Sequence, residues 1–415
     1  MPQNLIPLYA RTDCKKVRSH RKDVEEVWKY NNGFPKELLT ENNFIKHHDA
    51  RNNMGLPGLD FELVYKTYDP ETDEKYFYPI LISLQAEYER YSQIEIESNV
   101  LEDVRAGKCY ILISNVFEGW GWDYWNAIAI FLMKKYNLTE ENFVMLTGNL
   151  AENERFKTVY FNNWERTVIH QNPEIAFNDS RRNILEQRQR KNAFICLNRR
   201  PHPHRFALVT LLHNLEGKGI TTFAREADSS EGHYQNQKNI FKDKYPKIAR
   251  YFDKWNLEER FPLTIDDGLN PKVDNPVHDK MTYKFHDSYL HILAETFGDD
   301  AKGRMFFSEK IFKPVLYFQP FVIIGQSGSL AAFRKLGYKT FDPIIDESYD
   351  TVIDNQERII QAYGAIKKFC DRSLYQIHKD YERMEEIYFY NFGHLMKRMC
   401  TLDLELKKEL QEILK

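Results

Sequence analysis

Short apolar runs alternate along the chain with longer stretches whose apolar residues recur at helical spacing, and this alternation predicts strands joined by helices. In the first half, YFYPILISL (residues 76–84) reads as a strand. CYILISNVF (109–117) reads as a stronger one, being rich in β-branched residues and bounded by Gly107 and Gly119. A helical pattern covers 124–136, and further strands are expected over 143–149 and 158–165. The polar stretch NDSRRNILEQRQRK (178–191) is expected to form a linker or an exposed helix. The pattern then restarts. Strands are expected at 193–198, 288–296 and 320–325, with helices after them at 205–215, 308–318 and 330–336. From 355 to 414 the spacing is helical, with many opposite charges four residues apart.

Repeated strand–helix alternation implies a parallel sheet covered on both faces. The expected fold is α/β, with two doubly wound, Rossmann-like domains and C-terminal helices. Their expected extents are 1–185, 186–354 and a helical tail, 355–415, that could return to the first domain. A chain of 415 residues is too long for one ordinary core, which agrees with this division.

Composition narrows the classes. Hydrophobic residues at 42% and charged residues at 29% suit a folded soluble protein. A net charge of -3 provides no global basic field for non-specific nucleic-acid binding. The five cysteines are scattered, without CxxC or Cys/His metal spacing, so reduced thiols in a cytoplasmic setting are expected. The N-terminal MPQNLIPLYARTDCKK shows no apolar signal core, and no run approaches the ~20 apolar residues of a membrane span. No membrane span, metal or cofactor is therefore expected.

Four places could carry chemistry. Ser308 is a good helix N-cap, which puts Glu309 and Lys310 in a first helical turn. The following apolar strand runs into a loop with Gly325, Ser327, Gly328 and Ser329 that opens another helix, where backbone N–H groups can bind an anion. A plain capped helix and an ordinary turn explain both features equally well. The second place is ICLNRRPHPHRF (195–206), where Asn198, Arg199, Arg200, His202, His204 and Arg205 follow a strand and Pro201 and Pro203 stiffen the turn. Arginine suits bidentate phosphate contact, so this turn reads as functional rather than as a solvated basic loop. The third is Glu295 at a strand's carboxyl end, which can accept from ribose hydroxyls or a base edge, although taken alone a solvated strand end explains it better.

The fourth is FEGWGWDYWN (117–126). Glu118 and then Asp123 are candidate general bases. Trp120, Trp122, Tyr124 and Trp125 either wall a sugar site or staple the loop to the core. Indoles would desolvate a carboxylate and raise its pKa, which favours proton abstraction near neutrality. The chain has no GxGxxG, GxxxxGK[ST], GxSxG or HExxH, and no clear DxD; His47, His48, His202 and His204 lack a third metal ligand.

Over about residues 193–345 the order of these elements resembles the donor-binding domain of the α1,3-fucosyltransferase-type glycosyltransferases. The resemblance rests on Asn198 with Arg205, then Glu295, then Ser308-Glu309-Lys310, then the Pro-led strand from Pro320 to Gly325. FRKLGYKTFDPIIDESYD (333–350) is also similar to bacteriophage-encoded glycosyltransferases. The resemblance implies the two-domain GT-B fold, a nucleotide-diphosphate sugar donor, a hydroxyl acceptor, no metal, and inversion at the anomeric carbon. It implies that Arg205 and Lys310 hold the diphosphate and that Glu295 and Glu309 hold ribose or sugar hydroxyls. The first domain would then supply the acceptor side. Two other readings stay open. One is transfer to a modified base in phage DNA, served by a basic strip of Arg11, Lys15, Lys16, Arg18, Arg21 and Lys22; the other is a non-catalytic carbohydrate-binding or scaffold protein of the same fold.

Overall fold

The apolar runs become parallel strands because their side chains alternate between two covered faces. A computed structural model describes residues 6–9, 61–64, 75–81, 94–96, 98–116, 119, 121–171, 188–224, 231–263, 282–298 and 303–415. It divides into two compact units. Unit 1 holds 1–166, 301–306 and 398–415; unit 2 holds 167–300 and 307–397. The molecule is mixed α/β with two parallel sheets, a Rossmann-like construction.

Unit 1 has a six-stranded sheet in the order β2-β1-β3-β4-β5-β6. Its strands are β1 (Ile6–Tyr9), β2 (Phe61–Val64), β3 (Tyr76–Leu81), β4 (Cys109–Asn115), β5 (Phe143–Thr147) and β6 (Lys157–Tyr160). Every pairing is parallel. On one face Tyr76, Tyr78, Ile80, Ile111 and Ile113 bury against helices α1 (Ser98–Arg105) and α2 (Trp122–Tyr136). On the other, Phe77, Leu112, Val144 and Leu146 bury against Leu402, Leu406 and Leu410. Arg398 adds a two-pronged bond to the fully buried Glu165, at 3.0 and 3.1 Å. The strand expected over 158–165 stops early. Asn162 accepts the N–H groups of Trp164 and Glu165 and so caps α3 (Asn163–Gln171).

Unit 2 has a four-stranded sheet in the order β10-β9-β7-β8, again all parallel. Its strands are β7 (Asn192–Cys196), β8 (Gly219–Thr221), β9 (Ser288–Ala294) and β10 (Phe321–Ile324). Every residue of β9 and β10 is buried, as in a sheet with helices on both faces. The helices are α4 (Pro203–Leu212), α5 (Glu231–Lys244), α6 (Pro246–Lys254), α7 (Thr282–His286), α8 (Glu309–Leu316), α9 (Ser329–Lys335), α10 (Asn355–Cys370), α11 (Leu374–Arg383) and the first part of α12 (Glu385–Leu414), whose residues from 398 on belong to unit 1. Helix α4 starts two residues before the expected 205 because Pro203 occupies its first turn after His202. The tail expected as helical over 355–414 is α10 to α12. Among the described residues no helix is long and apolar enough to cross a membrane.

Residues 178–187 of the expected linker lie outside the described residues. Its described end is not simply polar: Arg190 is buried, 4% exposed, against β9 and α11.

Candidate functional site

Strand β7 connects to β8 on one side of the sheet, whereas β9 connects to β10 on the other. The carboxyl ends of β7 and β9 therefore flank the point where the connections diverge, the place where open α/β sheets bind ligands. Four chain segments meet there: the turn from Asn198 into α4, the end of β9 at Glu295, the start of α8 at Ser308, and the loop after β10 at Gly325.

Glu295 is the centre of the cluster. Its Oε2 accepts from Ser308 Oγ at 2.6 Å and from the N–H groups of Thr296 and Ser308 at 3.2 and 3.4 Å. Its backbone carbonyl accepts from Arg205 Nη2 at 3.3 Å and from His204 Nε2 at 2.9 Å. Burial raises the Glu295 pKa, while Lys310 and the Ser308 hydroxyl pull it back. Lys310 Nζ donates to Ser308 Oγ at 3.0 Å and to Thr296 Oγ1 at 3.2 Å, so two positive charges stand around one short strand end. Glu309 beside them stays below its ordinary pKa: burial opposes this, but Lys310 and Lys313 outweigh it.

The histidines are neutral members of this cluster. Burial, then the nearby Arg205 charge, pushes His204 down to about 3 and drives His202 lower still. Their rings stack at 5.7 Å. A Cβ on Gly298 would come within 2.3 Å of the His204 ring, so only glycine lets the β9 loop lie on it.

Four buried side chains at this edge hold polar atoms with no partner: Asn198 Oδ1, Arg205 Nε, Glu295 Oε1, and both Oε1 and Nε2 of Gln326. Each parent residue is at most 5% exposed. A buried polar atom without a partner costs about 1–3 kcal/mol. Several such groups at one strand edge suit a ligand that supplies the missing bonds, although others occur elsewhere, Gln319 Oε1 among them.

No family model, curated protein or solved structure matches this chain.

Of the residues singled out by sequence, Asn198, Arg205, Glu295, Ser308, Glu309 and Lys310 are gathered at the β7–β9 edge, with Arg199 half-buried in the same turn. Lys310 is engaged by two hydroxyls rather than free in its first turn. The loop through Gly325, Ser327, Gly328 and Ser329 differs from the expected anion cradle. The Asp350 carboxylate accepts the N–H groups of Leu330 and Ala331 at 2.8 and 3.0 Å, and its carbonyl takes that of Gly328 at 2.7 Å. Ser329 N–H goes to Gln326 O. The chain's own carboxylate and carbonyls thus take the N–H groups of Gly328, Ser329, Leu330 and Ala331 that a phosphate would need.

The candidate bases fare differently. Glu118 and Trp120 lie outside the described residues. Asp123 is exposed in the first turn of α2, so the expected desolvation by indoles does not reach it. Trp122 and Trp125 are core residues, and Trp122 Nε1 donates to Ala151 O at 3.0 Å; these rings staple the helix to the core rather than wall a site. The basic strip of 11–22 also lies outside the described residues. Among the described residues no group of three or more His, Cys, Asp or Glu could hold a metal ion.

Two contributors had no clear local signal. Gln326 is a loop residue whose carboxamide is buried and unpaired. Arg358 on α10 donates to Gly325 O at 3.2 Å, Gly298 O at 3.5 Å, Val352 O at 2.6 Å and Ile353 O at 3.0 Å. It ties the β9 and β10 loops together.

Proposed function

We propose that this chain is a glycosyltransferase that binds a nucleotide-diphosphate sugar at the β7–β9 edge of unit 2 and transfers the sugar to a hydroxyl acceptor. One observation carries the reading. Arg205 and Lys310 stand around Glu295, whose Oε1 is buried and unpaired. A site for a bare anion gains nothing from an unpaired carboxylate oxygen, which repels it. A ligand offering both negative charge and hydroxyl donors satisfies all three side chains, and a nucleotide-diphosphate sugar is such a ligand.

The chemistry follows from those roles. As the bond from the anomeric carbon to the diphosphate oxygen breaks, negative charge grows on the leaving group. Arg205 and Lys310 stabilise that charge more in the transition state than in the ground state. Arg205, which burial lowers to about 10, remains a cation at neutral pH. With two cations neutralising the diphosphate, the step proceeds without a metal. The acceptor oxygen forms the new bond and its proton passes to a base. Inversion and a GT-B arrangement of the two units belong to this proposal, with Glu118 and then Asp123 as the bases to test.

The test is titration of the full chain with nucleoside diphosphates and their sugars, by calorimetry and thermal unfolding. A bound nucleotide at 100 times its dissociation constant should add about 2.7 kcal/mol to stability. No stabilisation by any nucleotide or nucleotide sugar would sink the reading.

A further inference from the structure

The carboxyl edge of unit 2 changes chemical character from strand to strand. Around the ends of β7 and β9 stand the cations Arg205 and Lys310. At the end of β9 itself stands Glu295, whose unpaired oxygen can only accept when ionised. One strand further out, at the end of β10, stands Gln326, which is 3% exposed and has neither end of its carboxamide bonded.

Gln326 is held in place by its own backbone. Its carbonyl accepts from Ser329 N–H at 3.3 Å and from Ser329 Oγ at 2.6 Å. Asp350 fixes the rest of the turn through Gly328, Leu330 and Ala331. Arg358 fixes Gly325 just before it, and a Cβ on Gly325 would lie 3.5 Å from Glu295 Cβ. A turn so constrained around an unsatisfied amide has the marks of a preorganised recognition group.

We infer that Gln326 is the specificity-determining residue of this site, reading the base of the bound nucleotide through its carboxamide. The inference rests on the nucleotide reading proposed above. Cations, carboxylate and carboxamide follow one another along the edge in the order in which a nucleotide presents phosphate, ribose and base. A carboxamide offers a donor and an acceptor side by side in one plane, which matches the adjacent donor and acceptor of a base edge. A phosphate presents acceptors alone and leaves the amide oxygen unpaired.

The experiment is calorimetric titration of the full chain and of Gln326→Leu and Gln326→Glu with UDP, GDP, ADP, CDP and inorganic pyrophosphate. The wild type is expected to prefer one base. Both substitutions should weaken that nucleotide by about ten- to hundredfold, the worth of one bidentate base contact, and flatten the preference, while pyrophosphate binds Gln326→Leu as before. Thermal unfolding of each variant checks folding, and Gln326→Glu keeps the shape of the side chain where leucine disturbs it. A base preference that survives both substitutions overturns the inference and leaves the nucleotide reading standing. Binding of pyrophosphate with no discrimination among bases in the wild type overturns it as well. Failure of every nucleotide and of pyrophosphate to bind overturns the nucleotide reading and this inference with it.

Discussion

The two edges of the unit 2 sheet bury polar groups to opposite ends. At the amino edge Arg190 donates to Ser288 O at 2.6 Å and to the Tyr381 hydroxyl, with its guanidinium 4.4 Å from the Tyr381 ring centre. Tyr381 passes a bond on to Phe318 O at 2.9 Å, and Tyr289 Oη is hydrogen-bonded to His378 Nδ1 at 2.9 Å. Arg190, Tyr289, Tyr381 and His378 leave no buried polar atom without a partner. At the carboxyl edge Asn198, Arg205, Glu295 and Gln326 all do. The Arg190 network is thus closed and the carboxyl-edge cluster open, although the amino edge is not closed throughout: Gln319, which donates to the same Ser288 O at 2.7 Å, leaves its buried Oε1 without a partner. A closed network contributes stability and specifies packing, whereas an open one costs stability until something binds.

The largest effect should come from opening the closed edge. Arg190→Met keeps much of the apolar stem and removes two bonds made by a charged donor, each worth about 1.5–3 kcal/mol. Denaturant unfolding should show that loss, and nucleotide affinity should not move. A loss below about 1 kcal/mol, the scale of an ordinary surface change, would erase the contrast between the edges.

The converse variant is Lys310→Ala. Its side chain is 24% exposed and its bonds go to two hydroxyls, so stability should change little. A charge-assisted phosphate contact is worth about 1.5–3 kcal/mol, so diphosphate affinity should fall by about ten- to hundredfold. Unchanged affinity with a lower melting temperature would assign Lys310 to the structure alone.

These two edges also differ in how far the sequence reveals them. Ser308 is legible because capping is local: its side chain accepts from Lys310 N–H two residues on. Asn198 and Glu295 are legible because each ends an apolar run. Arg358 and Asp350 are not, because they act on loops far away in the chain, Arg358 on Gly298 and Gly325 and Asp350 on 328–331. The glycine-serine loop misled for the same reason, since nothing near it in sequence announces the carboxylate that fills it. Arg190 was hidden in a stretch whose composition reads as linker; burial by Tyr381, which only the fold brings near, decides its role. The α/β alternation was plain, because strand period and helix period are written into every segment.

A smaller effect tests the misread loop. Asp350→Ala removes the acceptor for two helix-start N–H groups, and loss of such a cap costs about 0.5–2 kcal/mol. Unfolding should report this cost. Pyrophosphate affinity should stay the same, because those N–H groups serve the chain and not a ligand. Tighter pyrophosphate binding in the variant would show that Asp350 had been blocking an anion site.

The smallest expected effect lies in the pH dependence of Glu295. Burial raises its folded pKa above 4.5, with Lys310 and Ser308 opposing, so the net shift is a difference between competing effects. The unfolded chain releases this proton near 4.5. As pH rises past that value the folded state still holds the proton, binds more protons than the unfolded state, and loses stability until pH passes the folded pKa. Glu295→Gln removes the titration while keeping the shape and the bond from Ser308. The stability of the variant relative to wild type should therefore climb as pH rises from 4.5 and then level off, read as the difference between denaturant midpoints across the series. Nucleotide affinity should move the other way at neutral pH, since the amide is a weaker acceptor for a ribose hydroxyl than the carboxylate. A midpoint difference from wild type that is no larger at pH 7 than at pH 4 would mean that Ser308, Thr296 and Lys310 already satisfy the carboxylate. The Glu295 end of the carboxyl edge would then be as closed as the Arg190 network.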